Sequence, residues 1–211
     1  MQRYLVEFFG TVILSFTYGA AVVHGSTPAG DAGGALAVGL VYLAVIYAGG
    51  HVSGGHYNPA VTLGLLLRGR GEPRDLPAYL ISQLLGAFVG GVAASATVDA
   101  PTVVGATMHP GPVVLAEFLF TFALVYVVLH TATARANSGN SFYGLAAGGV
   151  VVAGIIAVGR VSFGSFNPAL SVTLAVSGTI GWLELWMHFV PQLAGAAAAA
   201  YSFRAVCKDA L

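Results

Sequence analysis

The sequence predicts an all-α membrane protein built as an inverted repeat, with six transmembrane helices and two re-entrant half-helices. Three observations predict it. The tripeptide Asn-Pro-Ala occurs twice, at Asn58-Pro59-Ala60 and Asn167-Pro168-Ala169, 109 residues apart and each inside apolar sequence. Other landmarks return in the same order at nearly the same offset: Glu7 and Thr11 as Glu117 and Thr121, and Gln83-x-x-Gly86 as Gln192-x-x-Gly195. Hydrophobic residues make up 57% of the chain and charged residues 8%, about a third of the charge a soluble domain carries. A period near half the chain suits the internal repeats of channels and transporters rather than a solenoid. Residues 1–211 therefore read as one domain with repeats at roughly 1–105 and 111–211.

The elements follow in order. The first apolar segment, near 4–24, opens on Arg3 as a signal peptide would, but Glu7 interrupts it early and the pattern returns at Glu117, so it reads as a mature helix. Further segments near 34–51, 76–98, 113–134, 142–160 and 182–204 are each long enough to cross the hydrocarbon core. Two shorter stretches, 59–67 and 168–176, each open on an Asn-Pro-Ala. At about 1.5 Å per residue they cover only half the core, so they must be re-entrant, where irregular backbone is tolerated only along a cavity. The 29 glycines, with the many alanines, fit closely packed membrane helices.

Charge sets the orientation. Arg3, Arg68, Arg70, Arg74, Arg135, Arg204 and Lys208 fall on one side of this topology and Arg160 alone on the other. An excess of basic residues marks the cytoplasmic side, so both termini are expected in the cytoplasm. Net charge is zero, which suggests no nucleic-acid partner. A single cysteine, Cys207, excludes an internal disulfide or a cysteine metal cluster. The remaining histidines, His24, His109, His130 and His188, show no ligand spacing, and no nucleophile–base pair or phosphate loop stands out. No cofactor, no metal and no enzymatic activity are expected.

Asn-Pro-Ala is a helix start. Asn is a favoured N-cap, and Pro suits the first helical position because its missing N–H has no partner there anyway. With the side-chain oxygen occupied by capping, the amide NH₂ of Asn58 and of Asn167 is left to donate. Two such helices meeting at mid-membrane bring two donors and two positive dipole ends together, an arrangement that orients water or hydroxyl groups and repels cations.

The run His51-Val52-Ser53-Gly54-Gly55-His56-Tyr57-Asn58-Pro59-Ala60-Val61-Thr62 resembles the first signature loop of the aquaporin, or major intrinsic protein, family. The resemblance covers essentially the whole chain. It implies six helices and two half-helices around one pore per protomer, a homotetramer in membrane lipid, and passive conduction of water or small uncharged solutes such as glycerol, urea, ammonia, hydrogen peroxide or neutral metalloid acids. It also implies that Glu7 and Glu117 accept hydrogen bonds from the loops and that His51 and His56 brace the first one. Gly54, Gly55 and Gly164 suit tight turns. Short loops lean toward a prokaryotic inner membrane.

The chain departs from the family pattern at one place. Most members carry Arg directly after the second Asn-Pro-Ala, and this chain has Leu170. Counting from the motifs places Val38, Ile155 and Gly164 at the other constriction positions, which makes the expected ring apolar, with no side-chain donor. Such a ring either excludes water by dewetting or, lacking bulky polar groups, admits larger neutral solutes. Two rival readings stay open. An ion-coupled transporter would use Glu7 and Glu117 as intramembrane carriers; a structural membrane protein would keep the pore closed.

Overall fold

The computed structural model describes residues 1–24, 30–98 and 106–207, and its regular elements are helical. Helix α1 (Gln2–Tyr18) continues through a π-helical turn, Gly19–Val23, and is followed by α2 (Ala32–Ser53), α3 (Pro59–Arg68), α4 (Leu76–Thr97) and α5 (Pro110–Ala132). Then come α6 (Tyr143–Ser162), α7 (Pro168–Val176) and α8 (Trp186–Val206). Five of the long helices have both the length and the apolarity to cross a bilayer. The sixth, α8, has 21 residues but carries His188, Pro191 and Gln192 among its alanines. Polar residues at such a depth need a partner inside the bundle, and both polar side chains are buried.

The second half repeats the first. Helix α1 packs on α4 as α5 packs on α8, and α2 crosses α6. Backbones touch at these crossings: a Cβ on Gly86 would lie 2.7 Å from the Phe8 carbonyl, and one on Gly195 would lie 2.6 Å from that of Phe118. The α2–α6 crossing is centred on Gly39 and Gly148, each facing the other's carbonyl, which marks the pseudo-two-fold axis. Small residues permit this approach, and in lipid close packing replaces the hydrophobic drive that holds soluble helices together.

The two short helices tie the halves together. Helix α3 packs on α5 and α8, and α7 packs on α4. Each half-helix is thus held by the opposite repeat. Helix α3 ends at Gly69, whose φ of 90° closes the helix in the left-handed conformation. The bounds 59–68 and 168–176 agree with the sequence reading to within one residue, because Asn-Pro fixes each start and length fixes each end. Lys208, counted among the basic residues above, lies outside the described residues.

Candidate pore

Each half-helix is preceded by a loop folded around a buried carboxylate. Glu7 on α1 accepts from the Ser53 hydroxyl (2.7 Å) and from the backbone N–H groups of His56 (2.9 Å) and Tyr57 (2.7 Å). The Gln83 amide donates to the same carboxylate at 2.8 Å. Glu117 on α5 does the same in the second half, accepting from Ser162 (2.6 Å), from the N–H groups of Ser165 (3.3 Å) and Phe166 (2.9 Å), and from Gln192 (2.7 Å). Both carboxylates are fully buried, and their donors satisfy them.

The two networks differ in one respect. In the first loop the His56 ring stacks on Tyr79 of α4, with centroids 4.9 Å apart, and its Nδ1 lies 3.1 Å from the Thr62 hydroxyl. In the second loop the position of His56 is Ser165 and that of Tyr79 is His188. The Ser165 hydroxyl sits 3.1 Å from His188 Nδ1 and 2.8 Å from the Ser171 hydroxyl. The imidazole has moved from loop to helix, while the loop stays tied to the helix behind it. His51, expected to brace the first loop, stands exposed on the last turn of α2, where its ring makes no hydrogen bond among the described residues. Of the two histidines, His56 is the one whose ring contacts the first loop's surroundings, at Thr62 and Tyr79.

The motifs meet head to head. Asn58 caps α3 through its side-chain oxygen, which accepts from Ala60 N–H at 2.8 Å, and Asn167 caps α7 through Ala169 N–H at 2.9 Å. Their amide groups are not both fully free, as the capping argument alone would leave them. Asn58 Nδ2 donates to the Phe166 carbonyl at 3.1 Å, and Asn167 Nδ2 donates to the Tyr57 carbonyl at 2.9 Å. One amide hydrogen on each remains. Tyr57 and Phe166 are the residues directly before the asparagines, and both adopt positive φ, 49° and 48°. Left-handed backbone costs an aromatic residue of order 1–3 kcal/mol; here it aims each carbonyl across the axis at the opposite asparagine.

Around the motifs lie two cavities. A vestibule of about 420 Å³ opens among Ile46, His56, Val61, Leu65, Val128 and Ala147, with Arg70 and Arg135 at its rim. A central chamber of about 10 Å³ is walled by Asn58, Asn167, Leu14, Leu124, Val38 and Leu170, with Tyr42, Val151 and Ser165 completing it. That is the space of one water molecule. Of the four residues expected at the constriction, Val38 and Leu170 form this wall. Ile155 and Gly164 lie outside this wall and beside each other: a Cβ on Gly164 would lie 3.0 Å from Ile155 Cα. Val151, one helical turn before Ile155, belongs to the chamber wall.

The whole arrangement matches a known family. The family model described as "Major intrinsic protein" matches residues 1–203. Aquaporin NIP1-4 from Oryza sativa subsp. japonica is 35% identical over 210 residues, covering 96% of this chain and 76% of that protein. The chain belongs to the major intrinsic protein family. A second relative within it, glycerol uptake facilitator protein-like 6 from Lactiplantibacillus plantarum, is 35% identical and covers 97% of both chains. The X-ray structure of the aquaglyceroporin from Plasmodium falciparum superimposes with a TM-score of 0.79 over 97% of this chain and 95% of that one, at 22% identity, and so shares the fold.

As a major intrinsic protein, the chain is an integral, multi-pass membrane protein of a channel family. Several residues of its candidate pore escaped the sequence reading. Gln83 and Gln192 served there only as landmarks of duplication, although they close the two carboxylate networks. Ser165 and Tyr42 carry no signal of their own in the sequence, and His188 stands there only as a histidine without ligand spacing. Carrying the 109-residue offset through every position would have paired each with its counterpart in the other half. Arg160, the one basic residue on the opposite side, is exposed on the last turn of α6, its stem beside Gly30. It is not among the residues of the chamber wall, so Arg160→Ala is expected to leave ionic conductance in planar bilayers at the parent level.

Proposed function

We propose that this protein is a passive channel conducting water and small uncharged solutes, of the glycerol, urea, ammonia, hydrogen peroxide or neutral metalloid acid kind, through a pore that passes the two Asn-Pro-Ala motifs. One observation carries the reading: two capped half-helices meet N-terminus to N-terminus over a one-water chamber, each presenting an asparagine amide and a positive dipole end to it. A cation entering there would lose hydration without meeting an acceptor strong enough to replace it. A neutral hydrogen-bonding solute exchanges water for the amides at little cost.

The transporter reading draws no support from the carboxylates, which are spent on the loops rather than turned to the chamber. The proposed constriction is the apolar ring of Val38, Ile155, Gly164 and Leu170, with Val151 in the chamber wall beside it. Arg3 pairs with Asp75 at 2.6 Å, Arg68 bonds Thr133, Arg204 reaches the Leu67 carbonyl, and Arg70 and Arg135 rim the vestibule. This clustering at one end supports a cytoplasmic vestibule and cytoplasmic termini, as in a prokaryotic inner membrane. The exposed apolar face of α2 and α6, with Leu36, Leu40, Leu145 and Ile156, suits contact with a neighbouring protomer in a homotetramer.

Stopped-flow light scattering of proteoliposomes under an osmotic gradient tests the proposal. Faster shrinkage than that of protein-free vesicles under an impermeant osmolyte, or faster reswelling than theirs with at least one of the named solutes in an inward gradient, is the expected result. Rates equal to the protein-free control for all of them would leave the structural reading, with a permanently closed pore, in its place.

A further inference from the structure

Helix α2 lays a stripe of three side chains along the route from chamber to vestibule. Val38 belongs to the chamber wall, Ile46 to the vestibule, and Tyr42, between them at i+4 spacing, to both. Among the described residues Tyr42 is the one that the two linings share. Its ring is buried, with 2% of its surface exposed, and its hydroxyl donates to the His56 carbonyl at 3.1 Å. That carbonyl belongs to the first loop, in the stretch of backbone that leads down to Asn58.

The pseudo-two-fold axis sharpens the point. The partner stripe on α6 is Ala147, Val151 and Ile155, and the counterpart of Tyr42 is Val151. Leu14 with Leu124 and Asn58 with Asn167 are matched chamber pairs, whereas Tyr42 with Val151 sets a large aromatic ring against a small aliphatic group. We infer that Tyr42 is the inner size filter of the pore, a hydrogen-bonded ring that separates the vestibule from the chamber and limits what passes between them. The inference rests on the channel reading and adds to it a second constriction, on the vestibule side of the motifs. A solute must pass a polar gate at Tyr42 as well as the apolar wall at Val38 and Leu170. Because the hydroxyl occupies the His56 carbonyl, a solute with a donor of its own can replace that bond as it passes, whereas an apolar one cannot.

Two positions one turn apart on α5 lie on either side of the ring: Leu124 in the chamber and Val128 in the vestibule. The full-length protein with Cys207→Ser takes Leu124→Cys or Val128→Cys, each with Tyr42 retained or with Tyr42→Val, which copies the other half. Reaction with a small neutral methanethiosulfonate is followed in detergent solution. The thiol at 128 is expected to react at a similar rate in both backgrounds. The thiol at 124 is expected to be protected behind Tyr42 and to react about tenfold faster or more with Tyr42→Val. Equal rates at 124 in both backgrounds would overturn the filter while leaving the channel intact. Protection at 128 in both backgrounds would mean that the vestibule itself is closed, overturning the filter together with the path on which the channel reading depends. A monodisperse gel-filtration peak for each variant establishes that the rates belong to folded protein.

Discussion

Glu117→Ala is expected to abolish recovery of monodisperse protein from membranes, and Glu117→Gln to reduce it without abolishing it. The reason is the number of groups one carboxylate satisfies. Without it, the Ser162 hydroxyl and the N–H groups of Ser165 and Phe166 lose their acceptor in a fully buried site. Ser165 Oγ and Gln192 keep other partners in Ser171. Three orphaned donors cost about 1–3 kcal/mol each, a sum comparable with the whole stability of a typical fold, about 5–15 kcal/mol. Glutamine keeps the shape and one acceptor oxygen but turns an NH₂ toward donors, so part of the loop stays tied. Gel filtration and a thermal aggregation midpoint in detergent read both variants against the parent. A proton carrier would behave otherwise: Glu117→Gln would assemble normally and lose only its pH-coupled uptake. Recovery of Glu117→Ala at parental yield and midpoint would show that the loop stands without the carboxylate.

The same loops show why the fold was legible and parts of the site were not. Asn-Pro-Ala carries its own physics, a cap plus a proline in the first turn, and it appears with short apolar helices behind it. Position and length alone then gave α3 and α7 to within a residue. Buried carboxylates in apolar sequence announce themselves, because such a group is costly unless paired. Its donors do not, since serines and backbone N–H groups have no signature before the chain folds. The constriction illustrates a different limit. Counting back from Asn167 fixes Ile155 by sequence distance, yet the loop from Phe163 to Phe166 includes two non-glycine residues with positive φ, at 61° and 48°. That loop doubles back tightly and seats Gly164 against Ile155, while the same helix gives Val151 to the chamber wall. Phe163 stands where the first half has Gly54, and nothing in its side chain predicts left-handed backbone. Its carbonyl is held instead by the Tyr18 hydroxyl at 3.0 Å, a contact across 145 residues of sequence.

Widening the apolar wall is expected to raise water flow on the order of tenfold, corresponding to about 1.4 kcal/mol off the barrier. Val38 is 0% exposed, Leu170 2% and Val151 5%, so little of this level of the structure is open to water. With no donor or acceptor on any of these side chains, a water entering must give up hydrogen bonds, which is the physical basis of closure by dewetting. Val38→Ala with Leu170→Ala removes five carbon atoms from facing parts of one chamber whose free space is about 10 Å³. The cavity left behind costs stability, about 2–5 kcal/mol for the leucine alone, so lower yield is expected alongside higher flux per folded protein. Flux normalised to reconstituted protein separates the two effects. If the double variant conducts no better than its parent while Tyr42→Val conducts faster, resistance lies at the inner ring and the wall is already passable. If the reverse holds, the wall limits flow and Leu170 is where this channel sets its rate. Resistances in series make the combined triple variant informative as well: its gain should exceed the sum of the two separate gains only if both constrictions lie on one path.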